Sequence, residues 1–88
     1  MGMFGLFLFG EKDEIVLKKV ATVYNYDYAK LHKVYMEVMG ENVDYDNEHV
    51  KYDNKYYDEF VKELAKSHKV DVSTIENKFK EVLIRMDA

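Results

Sequence analysis

No cysteine and no proline occur in this chain, and no glycine follows Gly40. Without thiols, disulfide staples and thiolate zinc sites are excluded. That absence fits a reducing, cytoplasmic setting. With glycine confined to positions 2, 5, 10 and 40, nothing in the second half forces a break in the backbone. Long hydrophobic runs are missing too. The most apolar segment, Met3 to Phe9, is far shorter than the roughly 20 residues a membrane helix requires. It has no positive leader and no small-residue cleavage site, so it does not read as a secretory signal. It reads as a buried strand or extended arm, or as a contact with a second copy through residues 3–9. Serine occurs only at Ser67 and Ser73, no glycine-rich loop follows a strand, and no nucleophile stands beside a base. Catalysis, cofactors and metals are therefore not expected.

What is present is a globular composition: 48% hydrophobic, 15% aromatic and 34% charged over 88 residues. That suits one small domain with a thin stability margin. The net charge of −4 is uneven. Residues 1–40 balance, residues 41–59 carry net −5, and residues 60–88 carry net +1.

Hydrophobic spacing predicts a mostly α fold, a small bundle of about four helices. Residues 1–10 form the apolar arm and residues 11–40 a helical pair. In the first helix, Glu11 to Tyr24, the acids Glu11, Asp13 and Glu14 suit the positive end of the helix dipole. Val16, Leu17, Val20, Ala21, Val23 and Tyr24 supply its apolar face. Its β-branched residues also suit a strand. Asp27 is placed to cap the second helix, Tyr28 to Met39, and Gly40 to end it in a left-handed conformation. Its inner face is Tyr28, Leu31, His32, Tyr35, Val38 and Met39. Residues 41–54 are an acidic, tyrosine-rich loop, or a short β-hairpin near 43–52. Residues 55–88 read as a helix-turn-helix. Asn54 would cap its first helix. In the second, Ser73 and Glu76 have capping-box spacing and Ile75, Phe79, Val82, Leu83 and Met86 face inward.

In this segment Ala65 is the small residue where two helices cross, Val70 plugs the turn, and Ile75 and Phe79 face the first helix. Glu63, Leu64, Ala65, Val70, Thr74, Ile75 and Phe79 keep the spacing of a known pattern. The segment resembles the reading domain of LuxR-type regulators and region 4 of sigma factors, over residues 63–86 only. Asp71, His68 and Glu76 depart from that pattern. The resemblance implies that Ser73, Thr74, Asn77, Lys78 and Lys80 face double-stranded DNA, in a transcription-regulatory role. Asparagine can pair with an adenine edge, and lysine can reach guanine or phosphate. The alternative is packing alone, with the same spacing demanded by an αα-hairpin.

A second constellation points elsewhere. All eight tyrosines lie between Tyr24 and Tyr57, overlapping the acidic stretch. Tyrosine combines a large contact area with a hydroxyl. This composition resembles small acidic inhibitors encoded by phages and mobile elements. It implies a host or partner protein held by Asp44, Tyr45, Asp46, Glu48 and Tyr52. A third reading is a non-catalytic subunit of a complex. Asp44, Asp46 and Glu48 do not make an EF-hand, because His49 and Lys55 stand where glycine and glutamate are needed. His32, His49 and His68 are too scattered to suggest a metal site.

Overall fold

A computed structural model describes residues 9–41, 45–52 and 54–88. Four helices follow in order: α1 (Glu11–Tyr24), α2 (Tyr28–Met39), α3 (Tyr57–His68) and α4 (Val72–Asp87). They pack as a ring, α1 against α2 and α3, and α4 against the same two. No strand occurs among the described residues. Of the two readings of this segment, the loop is the one seen over residues 45–52, with a turn at Glu48-His49, and the possible hairpin near 43–52 is not supported. The side chains of Tyr45 and Asn47 bond to Glu41 and to α4 rather than lining a strand ladder. Val43 and Asp44 lie outside the described residues.

Local chemistry explains the helix ends. Asp13 Oδ2 accepts the Gly10 N–H at 2.9 Å, which satisfies a free donor at the start of α1. Asn25 closes α1 in the left-handed region, φ 61°, a conformation asparagine tolerates. Asp27 caps α2 as expected, accepting the Lys30 N–H at 2.9 Å. Asn54 stands two residues before the cap position of α3, which Tyr56 occupies, and not at that position as expected. Its side chain accepts the Tyr56 N–H at 2.8 Å and its carbonyl the Tyr57 N–H at 3.0 Å, turning the chain into α3.

Two expected caps are corrected, and a third helix end is closed by a residue not expected to do so. Gly40 sits at φ −83°, not in the left-handed region, because the ammonium of Lys78 satisfies the carbonyls at the end of α2 instead. The residue that closes α3 in the left-handed region is Lys69, φ 58°. The Val70 N–H bonds back to the Ala65 carbonyl at 3.1 Å, as in a Schellman ending. Ser73 lies inside the first turn of α4, and Asp71 takes the cap position without a side-chain cap bond. Glu76 instead accepts the Tyr57 hydroxyl at 3.2 Å.

The core is continuous across the ring. Leu17, Val20, Leu31, Tyr35, Leu64, Phe79 and Leu83 have no solvent exposure. Fully burying each aliphatic side chain contributes roughly 1.5–3 kcal/mol. The expected inward face of α4, Ile75, Phe79, Val82, Leu83 and Met86, is buried, and α3 meets it with Tyr57, Phe60, Val61, Leu64 and Ala65. Val34 joins them from α2, while Tyr28 and His32 stand at the rim. Val70 does not plug the turn; it is 42% exposed. Among the described residues, no helix is long and apolar enough to cross a membrane.

Candidate functional site

The residues expected to read DNA all lie on α4, and the loop after α2 crosses part of the same helix. Asn77 is half-buried, and its carbonyl accepts the Asn47 side-chain amide at 2.9 Å. Asn47 is only 2% exposed, so this polar residue anchors the loop inward. Lys78 donates to the carbonyls of Glu41 at 2.5 Å, Val38 at 3.2 Å and Met39 at 3.5 Å. Burial holds its ammonium below the usual lysine range, partly offset by the Glu41 carboxylate. A cation here also meets the negative end of the α2 dipole. Lys80 is buried; its ammonium reaches the Glu48 carbonyl at 3.4 Å and the Glu76 carboxylate at 3.9 Å.

A charged clamp fixes the start of the loop. Arg85 grips Glu41 through two bonds of 2.9 Å each and bonds Glu81 at 3.0 Å. Tyr45 donates its hydroxyl to Glu41 at 2.8 Å. Hydrogen bonds from Arg85, then from Tyr45, hold the Glu41 carboxyl below its ordinary range. The Tyr45 hydroxyl is pushed above its ordinary value by burial, then by Glu41.

No residue from Ile75 to Met86 is fully exposed. Of the expected DNA contacts, only Ser73 and Thr74 are. The structure thus gathers Asn77, Lys78 and Lys80 beneath or beside the loop and leaves the other two at the helix start. Of the expected protein contacts, Asp46 and Glu48 are exposed. Tyr45 and Tyr52 are half-buried, with Tyr52 stacked on Tyr57 at 5.8 Å. Asp44 lies outside the described residues. Glu41, Asn47 and Arg85 complete the site and had no signal in local spacing. The one arginine of the chain was the nearest thing to a clue.

A second polar cluster ties α1, α2 and α3 together. Asp13 is 1% exposed. Its Oδ1 accepts the Tyr35 hydroxyl at 2.7 Å and lies 2.6 Å from His68 Nε2. Burial, then the bond to Asp13, pushes the Tyr35 hydroxyl well above its ordinary value. Phe9 sets its ring edge-on to His32 and Tyr35, at 4.6 and 6.0 Å, so the last residue of the apolar arm packs within its own chain. The rest of that arm, and with it most of the expected second-copy contact over residues 3–9, lies outside the described residues. Among the described residues, no three His, Cys, Asp or Glu side chains are grouped to hold a metal.

No protein-family model matches the chain, and no match is found among curated proteins or solved structures.

Proposed function

We propose that this chain is a small non-catalytic protein-interaction module that presents an acidic surface to a basic face of a partner protein. The observation behind this reading is the loop bound across α4. Asn47, Lys78, Lys80 and Arg85 hold it to the bundle, while the carboxylates of Asp46 and Glu48 stay exposed. A loop ordered before binding avoids much of the entropic cost of being ordered on contact. Exposed carboxylates speed encounter with a basic surface and reject acidic ones. In this reading the helix-turn-helix is a scaffold, because the two lysines of α4 point their ammonium groups at main-chain carbonyls.

Affinity capture tests it, comparing the wild-type chain with an Asp46→Lys, Glu48→Lys variant. The partner should be retained by the first and lost by the second, with helical circular dichroism unchanged. Equal retention by both would remove the loop from the interface.

Duplex DNA is the second reading. It is favoured by the exposure of Ser73 and Thr74 at the start of α4, with exposed Lys66 and Lys69 close by in the chain. Its mark would be saturable duplex binding that falls steeply with salt and is weakened by Lys66→Glu with Lys69→Glu.

A further inference from the structure

We draw no further inference here: the strongest candidate, the groove between α1 and α3 lined by Val23, Tyr56 and Phe60, carries nothing because Glu59 lines it along with Lys19, Lys18 is paired with Glu14, and nothing in the structure shows what covers it.

Discussion

The Arg85 guanidinium and the Glu41 carboxylate meet in a two-pronged pair, both bonds 2.9 Å, across 44 residues of sequence. This pair joins the end of α2 to the last turns of α4 and marks where the loop begins its crossing. Both side chains remain about one-third exposed, so solvent screens much of their attraction. Glu41→Ala should therefore cost only about 1 kcal/mol in urea unfolding. Its larger effect should be local, with hydrogen exchange faster over residues 45–52 and unchanged in α1 and α3.

Asp13 should matter more than any charge on the loop. It is fully buried and serves the Gly10 N–H, the Tyr35 hydroxyl and His68 together. Asp13→Ala removes an acceptor shared by three segments, and should destabilise the fold by about 2–4 kcal/mol. Chemical denaturation checks this; a loss below about 0.5 kcal/mol, the usual range for surface substitutions, would contradict it.

Stability should fall in strong base. Burial, with help from neighbouring carboxylates, raises the hydroxyls of Tyr26, Tyr35, Tyr45 and Tyr57 above their ordinary value of 10, and Tyr24 to about 12. Between these values the unfolded chain releases protons that the folded chain keeps. The stabilisation is thus complete below pH 10 and is lost as pH rises toward the folded values. Glu41 works in the other direction. Its lowered folded value supports the fold above its ordinary 4.5 and stops doing so as pH falls through that lowered value. Thermal melts across pH, with tyrosinate absorbance read in parallel, should show tyrosine ionisation above pH 10 accompanied by unfolding.

Lys69 closes α3 at φ 58°, where a side chain is strained and glycine is not. Lys69→Gly should stabilise the protein by about 0.5–1 kcal/mol, once the added freedom of the unfolded chain is deducted. A higher urea midpoint with an unchanged slope is the expected result.

Most of the helical core was legible because it depends on local spacing. Leu31, Tyr35 and Val38, or Ile75, Phe79 and Val82, recur on one helical face whatever lies opposite. The Asp27 cap was legible for the same reason. The loop was not. Its bonds join Asn47 to Asn77 and Glu41 to Arg85, so they exist only once α2 and α4 are side by side. Lys78 shows the same limit. Its position on α4 suggested a nucleic-acid contact, yet the neighbouring end of α2 gives its ammonium three carbonyls to bind. Val70 stays exposed although its spacing suits a turn plug, because turn spacing does not specify how deeply a turn residue sits between two helices.

The proposed acidic surface depends on the loop being held against α4 in solution. Nuclear Overhauser spectroscopy on the folded chain tests this most directly. The ring of Tyr45 lies 5.9 Å beneath the Lys78 ammonium, and the Asn47 side-chain amide bonds the carbonyl of Asn77. Cross-peaks should link the Tyr45 ring to the Lys78 side chain, and the Asn47 amide protons to α4. Their absence, with random-coil shifts over residues 45–52, would contradict the account and leave Asn77, Lys78 and Lys80 open to a duplex.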